Sequence, residues 1–150
     1  MDASAAIQES GISIAIGADG LPVISYHDIT NEDLKVAHCN DVACSSAATV
    51  TVDSDGDTGI WSSLTIGADG LPVISYKKWG VGLQVAHCND AACTGAVITS
   101  LGVSSNHTSI TIGVDGLPVV AFNGSDSDHT VNLTIIHCND AFCTPFVRRR

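Results

Sequence analysis

Apolar and polar positions alternate along the chain in short runs separated by turn-forming residues. In the middle of the sequence such runs occupy 62–68, 71–76, 82–88 and 93–100, and they are rich in β-branched residues. Alternation with a period of two predicts β-strands, and the Asp-Gly pair between the first two runs predicts a two-residue type I′ hairpin turn. Some runs are apolar at successive positions, which is typical of a sheet covered on both faces. The pattern predicts four antiparallel strands between neighbouring sheets.

The same pattern occurs three times. IGADGLPVISY at 16–26 is repeated at 66–76 and becomes IGVDGLPVVAF at 112–122. A unit of 46–50 residues has the length of a four-stranded propeller blade. The sequence therefore predicts an all-β fold, a single domain over 1–150 built of three four-stranded antiparallel propeller-type blades, with units at about 11–54, 61–104 and 107–150.

A second repeated motif, HCND-x-x-C, occurs three times and contains all six cysteines of the chain. Cys88 and Cys93 flank a turn between the third and fourth strands, and opposite residues of antiparallel strands have Cα atoms about 4.5–5.5 Å apart, which a disulfide accepts. We therefore predict one local disulfide in each unit, namely Cys39–Cys44, Cys88–Cys93 and Cys138–Cys143. Such disulfides predict an oxidising location, extracellular or at the cell surface.

Two other interpretations of the HCND motif are less compatible with the sequence. A zinc site would use the histidine with both cysteines, but His87 and Cys88 are adjacent in a strand and point to opposite faces, and each unit offers three ligands where structural zinc has four. A redox centre would need a helix N-terminus or a basic neighbour to lower a thiol pKa, and the sequence shows neither. His38, His87 and His137 are therefore interpreted as hydrogen-bonded strand histidines.

Composition limits the partners. The chain has 150 residues, is 45% hydrophobic and carries a formal net charge of −10. This acidity disfavours binding to phosphate backbones, so no nucleic-acid partner is expected. No apolar run reaches the length of about 18 residues that a membrane span requires, and the first ten residues lack the features of a signal peptide. No cofactor is predicted.

The units resemble the β-propeller repeats of secreted bacterial proteins, whose pattern runs DG-x-P-x-ISY and then LK-x-A-x-CND-x-x-C. In the first unit the matching residues are Asp19, Gly20, Pro22, Ile24, Ser25, Tyr26, Leu34, Lys35, Ala37, Cys39, Asn40, Asp41 and Cys44. The repeats are similar at a distance to fucose-binding lectin propellers and Asp-box propellers, without their site residues. The resemblance implies the fold, and the fold alone does not specify an activity.

Loop lengths suggest where recognition would occur. The loops after the second and fourth strands differ in length between units, whereas the other two turns are constant, and in an up-and-down sheet these two sets lie at opposite rims. Variable loops are the usual place for binding residues. The candidate ligand contacts on that rim are Trp61, Trp79, His27, Asp28, Lys77 and Asn123. The tryptophans can stack on a sugar, the alternative being that they pack between blades.

Two further motifs, an acidic loop and three glycosylation sequons, each have an interpretation without a function. Asp53, Asp55 and Asp57 offer carboxylates at calcium-like spacing, although the rest of the EF-hand pattern is missing and a solvated acidic loop reads the same way. Glycosylation sequons occur at Asn106, Asn123 and Asn132, and chance occurrence is the alternative.

Catalytic motifs such as a nucleophile elbow, a phosphate loop or a zinc-protease helix are not found, so we predict a non-enzymatic protein. The leading hypothesis is an extracellular binding module, carbohydrate- or protein-binding, with a glycan or a surface protein as its partner. The alternative is a structural self-assembling protein that forms a ring or a fibre by strand exchange.

Three blades are too few to close a propeller, so the chain is expected to form a homo-oligomer, as a six-bladed dimer or a head-to-tail assembly. The segment 4–10 resembles the fourth strand of the first unit, and the last strand of the third unit is interrupted by Pro145. Residues 4–10 are therefore predicted to add a strand to a neighbouring blade.

Overall fold

The computed structural model describes residues 7–125 and 131–145. This part of the chain contains eleven strands and no helix, which confirms the all-β prediction. The strands are β1 (Ile7–Ile16), β2 (Pro22–Asp28), β3 (Asp33–Cys39), β4 (Ala47–Asp53), β5 (Ile60–Ile66), β6 (Pro72–Lys78), β7 (Gly82–Cys88), β8 (Ala96–Ser100), β9 (Ser105–Ile112), β10 (Pro118–Ser125) and β11 (Val131–His137). Within the described ranges there is accordingly no helix with the length and apolarity that crossing a bilayer requires.

The strands form three antiparallel sheets, and in each sheet the strands are adjacent in sequence. Sheet 1 consists of β1–β4, sheet 2 of β5–β8 and sheet 3 of β9–β11. Four strands per unit are thus confirmed for the first two repeats. The predicted fourth strand of the third repeat extends into 146–150, which lie outside the described residues.

Two apolar layers hold the sheets in a stack. The layer between sheets 1 and 2 includes Val23, Leu34, Val36, Leu64, Ile74 and Tyr76. The layer between sheets 2 and 3 includes Val73, Leu83, Val85, Ile110, Val120 and Phe122. Sheet 2 contributes to both layers, and all seven positions of β7 are buried. Covering on both faces is the physical reason why these strands read as continuous apolar runs.

The turn between β5 and β6 differs from the predicted type I′ turn. Gly70 N–H donates to Gly67 O at 2.9 Å, and Gly67 N–H donates to Leu71 O at 2.8 Å, which makes a three-residue loop. Gly70 has a φ of 82°, but Asp69 does not have the positive φ that a type I′ turn requires. Asp69 instead accepts the N–H of Leu71 at 3.1 Å, so its side chain stabilises the turn.

All three predicted disulfides are present, with Cα–Cα distances of 4.7–4.9 Å. Their register differs from the prediction, because Cys88 lies opposite Ala96 and not opposite Cys93. Cys93 lies inside the turn with a φ of 56°. Asp90, the last letter of HCND, accepts the N–H of Thr94 at 3.1 Å and shapes the turn. The disulfide therefore closes a turn, and three of them indicate an oxidising environment.

The first strand of every sheet carries a β-bulge six residues before its turn glycine. The bulged residues are Gly11, Trp61 and His107, with φ values of 102°, 53° and 49°. The pairing register shifts at this point in β1, β5 and β9. A bulge re-aims the side chains around it, which matters for the position of Trp61.

The start of the first sheet corrects one boundary. Ile7 pairs with Asp28 of β2, so β1 continues through the bulge toward the N-terminus. Residues 7–10 thus belong to sheet 1 of their own chain, whereas 4–10 were predicted to pair with a neighbouring blade. Residues 4–6 lie outside the described residues.

Candidate functional site

A cleft of about 380 Å³ opens at the end of the sheets where the loops vary in length between repeats. It is lined by Lys77, Trp79, Gly80, Val81, Gly82 and Ser104. Lys77 belongs to β6, the next three residues to the β6–β7 turn, Gly82 to the start of β7, and Ser104 to the connection between sheets 2 and 3. This is the rim on which the sequence predicts recognition.

Lys77 brings the two tryptophans of the chain together. Its Nζ lies 5.0 Å from the ring centroid of Trp61 and 5.0 Å from that of Trp79, within the range of a cation–π contact. The same ammonium donates to Asn106 Oδ1 at 2.6 Å. Burial lowers the pKa of Lys77, and the negative charge of Asp57 opposes that effect. The positive group is therefore fixed in place between two indole rings.

Trp61 is fixed by both neighbouring sheets. Its ring centroid lies 4.4 Å from that of His107, and its carbonyl accepts a hydrogen bond from Thr108 Oγ1 at 3.0 Å. On the other side, a Cβ at Gly11 would lie only 2.8 Å from Trp61 Cα, so the glycine makes room for the tryptophan backbone. Trp61 is half-buried. Packing between sheets thus positions the ring that borders the lysine.

Trp79 is the exposed member of the pair, with 68% of its surface open to solvent. Its N–H donates to Asp57 O at 2.9 Å, which anchors the turn to sheet 1. Three residues further on, Gly82 has a φ of 114°, and a Cβ there would lie 2.2 Å from Val103 O. The glycine lets the β8–β9 connection approach the turn. Trp79 is therefore presented on a turn that is held at both ends.

His27 and Asp28, two predicted ligand contacts, lie within the packing instead of at the cleft. Both are buried, His27 with its Nε2 3.0 Å from Asp57 Oδ1. Asp28 Oδ2 lies 2.6 Å from Lys35 Nζ and accepts a hydrogen bond from Asn31 Nδ2 at 2.8 Å. These contacts lower the pKa of Asp28 to about 2, and the hydrogen bond from Lys35 has the largest effect. We reassign both residues from ligand contacts to the packing of the sheets, because burial removes them from the rim surface.

Asn123 occupies the same repeat position as His27 and Lys77 but lies beyond the cleft. It pairs with Asn106 of β9, whose side chain holds the lysine. Asn132 lies in β11, in the outer part of sheet 3. Glycosylation at the three sequon asparagines stays a prediction, and for Asn106 the structure adds a contact with Lys77.

The three aspartates of the β4–β5 loop do not converge on a cation. Tyr76 Oη donates to Asp53 Oδ2 at 2.7 Å, Asp55 Oδ2 lies 2.6 Å from Lys78 Nζ, and Asp57 faces the imidazole described above. In residues 7–125 and 131–145 no group of three or more His, Cys, Asp or Glu side chains is placed to hold a metal ion. The calcium prediction is therefore corrected, since each carboxylate already has a different partner, and those of Asp53 and Asp55 belong to sheet 2.

The histidines of the three HCND motifs lie at the end of the sheets opposite to the cleft. Each Nε2 contacts the aspartate of the first turn of its own sheet, in the pairs His38–Asp19 at 2.8 Å, His87–Asp69 at 3.0 Å and His137–Asp115 at 2.9 Å. The cysteines beside them are all in disulfides. These histidines thus tie the first turn to the disulfide turn, which agrees with their interpretation as strand histidines.

Sequence reasoning missed two residues of the site. His107, which stacks on Trp61, and Ser104, which lines the cleft, were not among the candidates. A signal for His107 was present, because it stands six residues before Gly113 as Trp61 stands six before Gly67. No repeat signal marks Ser104, since its loop varies between units.

No family model and no curated protein sequence matches the chain. Solved structures of similar fold include a protein of unknown function from Dyadobacter fermentans DSM 18053, with 13% identity and a TM-score of 0.63 over 88% of this chain and 39% of that one. An α-L-arabinofuranosidase from Lactobacillus brevis has 13% identity and a TM-score of 0.57 over 91% of this chain and 52% of its own. A candidate exo-β-1,3-galactanase from Bifidobacterium bifidum s17 has 15% identity and a TM-score of 0.62 over 95% and 53%. The chain thus spans 39–53% of their lengths, and the likeness concerns the fold alone.

Proposed function

We propose that the protein is a non-enzymatic extracellular binding module whose sheets are blades of the β-propeller type, and that the cleft beside Trp79 binds carbohydrate. The observation that carries the proposal is the position of the Lys77 ammonium between the rings of Trp61 and Trp79. An exposed indole offers an apolar face to the C–H groups of a sugar, and the ammonium beside it donates to hydroxyl or carboxylate oxygens.

The size of the cleft favours a sugar over a protein partner. Its volume of about 380 Å³ falls at the lower end of small-molecule sites. A stable protein interface buries about 800 Å² on each side and needs a broader surface. One or two sugar units are therefore the best fit to the cleft.

Binding without hydrolysis fits the lining. The described residues around the cleft contribute one ammonium, one hydroxyl, one indole and backbone groups, but no carboxylate. Glycoside hydrolysis in most families uses a pair of carboxyl groups on either side of the scissile bond. The enzymatic activities named for two structures of similar fold are accordingly not proposed for this chain.

The test is a glycan array of neutral and acidic oligosaccharides, followed by calorimetric titration of the strongest binder. Trp79→Ala should weaken binding about 30-fold, the loss typical of a central tryptophan contact. Phe142→Ala is the matched control, because Phe142 is an exposed aromatic residue at the opposite end of the sheets. Unchanged affinity of Trp79→Ala, or hydrolysis of the bound glycan, would contradict the proposal.

Self-assembly is a second candidate function, favoured by one observation. Exposed apolar side chains form stripes on the first and last described strands, at Ile12, Ile14 and Ile16 of β1 and at Val131, Leu133 and Ile135 of β11. Contiguous exposed apolar surface is typical of interaction sites. Because residues 7–10 already pair within sheet 1, we propose packing of faces in place of the strand exchange expected from the sequence.

A further inference from the structure

The two open faces of the stack repeat the surfaces that its internal interfaces bury. On the face that each sheet presents to the preceding one, Leu64 and Ile110 are 6% and 7% exposed, whereas the equivalent Ile14 of sheet 1 is 62% exposed. On the face presented to the following sheet, Leu34 and Leu83 are both 0% exposed. The equivalent Leu133 of sheet 3 is 74% exposed. At Ile14 and Leu133 the open faces thus lack the covering that the repeat provides elsewhere, whereas Tyr26 on the sheet 1 face is 5% exposed.

The hydroxyl pairs that cross the internal interfaces have apolar equivalents on both open faces. In the two internal interfaces a hydroxyl pair crosses between the sheets, Ser25 to Ser62 at 3.1 Å and Ser75 to Thr108 at 2.8 Å. The equivalent positions on the open faces are Ala121 of sheet 3 and Ile12 of sheet 1. Both members of the polar pair are therefore replaced by apolar residues, one on each open face.

This double replacement indicates that the open faces are complementary. A serine or threonine facing Ile12 would leave its hydroxyl without a partner, and burying an unpaired hydroxyl costs free energy. Ala121 facing Ile12 avoids that cost, because neither side chain needs a hydrogen bond. The two substitutions match each other when these two faces meet.

A series of hydrogen bonds between the first strands of successive sheets also supports the pairing of the two open faces. Ser13 Oγ accepts the Leu64 N–H at 2.9 Å, and Ser63 Oγ accepts the Ile110 N–H at 3.2 Å. The next serine in the series is Ser109, which is exposed, and the amide at the Leu64 position of sheet 1 is that of Ile14. A third interface would therefore join Ser109 to Ile14.

We propose that the sheet 1 face of one copy, marked by Ile12 and Ile14, docks on the sheet 3 face of a second copy, marked by Ala121 and Leu133. The contact is reciprocal, so two chains form a closed dimer of six sheets. Six lies within the range of 4–8 blades usual for closed propellers, whereas three copies would give nine. The proposal rests on self-assembly as the second proposed function and identifies the surfaces and the partner, a second copy of this chain.

The first test measures association by analytical ultracentrifugation at micromolar concentrations. Ile14→Asp and Leu133→Asp should each weaken dimerisation by about 100-fold or more, because an unpaired charge would be buried. Val114→Asp is the matched control, since it adds the same charge at a fully exposed turn position away from both faces. Circular dichroism and disulfide mapping of each variant establish that it is folded.

The outcomes separate the two proposals. A wild-type chain that stays monomeric overturns both self-assembly and this interface. A wild-type dimer that Ile14→Asp weakens no more than Val114→Asp overturns the interface alone. Loss of the dimer in both face variants, with the control unchanged, supports the proposal.

A second test identifies the paired residues directly. Chains carrying Ile12→Cys and chains carrying Ala121→Cys are mixed and oxidised, since the equivalent hydroxyls lie 2.8–3.1 Å apart in the internal interfaces. The mixture should give covalent dimers, and either variant alone should not. Equal cross-linking of Ile12→Cys with a Val114→Cys control would overturn the pairing. A chain that carries both substitutions distinguishes the assemblies, because covalent species larger than two chains would overturn the closed dimer.

Discussion

At the scale of single residues, one repeat position has a different role in each sheet. His27, Lys77 and Asn123 all follow the last aromatic residue of the second strand, yet the first is buried beside Asp57 and the second lies between two indoles. The role depends on what the next sheet places opposite, which for Lys77 is Asn106. The polar groups of His27 and Lys77 are accommodated because each has a partner, Asp57 and Asn106 respectively. Asp28, one residue further along β2, shows the same rule and allows a test.

Asp28→Asn should lower the free energy of unfolding by about 2 kcal/mol at neutral pH, because the Lys35 ammonium loses its charged partner. The contact with Lys35 lowers the pKa of Asp28 from 3.8 to about 2. A lowered pKa means that the stabilisation is present above about pH 4 and is lost as the pH falls toward 2. Urea unfolding at several pH values should show the wild-type and variant curves converging in acid.

Asp33→Asn is the control for this experiment. Asp33 lies opposite Asp28 in the β2–β3 pairing but makes no ion pair among the described residues. The same charge change there breaks no ion pair and relieves the like-charge contact with Asp28, so it should not lower stability at neutral pH. A constant difference between Asp28→Asn and the wild type down to about pH 2 would show that the ion pair is not its cause.

At the scale of strands and turns, glycine and bulged residues decide how closely the sheets approach. Two glycines with positive φ lie at the β6–β7 turn, Gly80 within it at 74° and Gly82 at the start of β7 at 114°. Only the second is crowded, because its missing Cβ makes room for Val103 O. Leu83 N–H donates to the same carbonyl at 2.9 Å, so this close approach joins β7 to the following connection.

Gly82→Ala should therefore destabilise the fold by about 3 kcal/mol, through backbone strain and the clash with a carbonyl that cannot move freely. Gly80→Ala is a control in the same turn, since a Cβ there meets nothing within 4 Å. It should cost about 1 kcal/mol for the left-handed backbone alone. Thermal unfolding of both variants checks the difference, and equal losses would show that crowding at Gly82 has no role.

At the scale of the whole molecule, apolar faces and net charge act against each other. Each chain carries a formal charge of −10, so in the proposed dimer charge repulsion between the copies would oppose the contact of their open faces. Salt screens the repulsion, and the Debye length falls to about 10 Å at 0.1 M. Apolar contact is not weakened by salt in this way.

Raising sodium chloride from about 20 mM to about 500 mM should therefore tighten association about tenfold. Sedimentation of the wild-type chain at several salt concentrations measures the change. Ile14→Asp serves as the comparison, because it should remain monomeric throughout the series. Association that weakens with salt would indicate that ion pairs, and not apolar faces, join the chains.

The sequence alone determined the all-β class, the repeat length, strand positions and the three disulfides. It could do so because these features depend on local physics. Short apolar runs bounded by turn residues predict strands, and β7 begins and ends at 82 and 88 as the pattern indicates. The disulfides followed from cysteines five residues apart on either side of a turn. Details of turn geometry did not follow, because Asp-Gly is compatible with both the two-residue and the three-residue loop.

Only the tertiary structure decided which rim residues meet. Trp61 and Lys77 lie on neighbouring strands of sheet 2, where Ile60 pairs with Lys77, and the bulge in β5 places the indole beside the ammonium. His27 and Asp28 are buried in sheet 1, although the sequence shows them only as polar residues after a predicted strand. Whether a position is covered depends on a neighbouring sheet, so Ile14 and Leu64 read alike in sequence but differ in exposure. Local pattern specifies a strand, and the contacts between sheets specify what that strand can do.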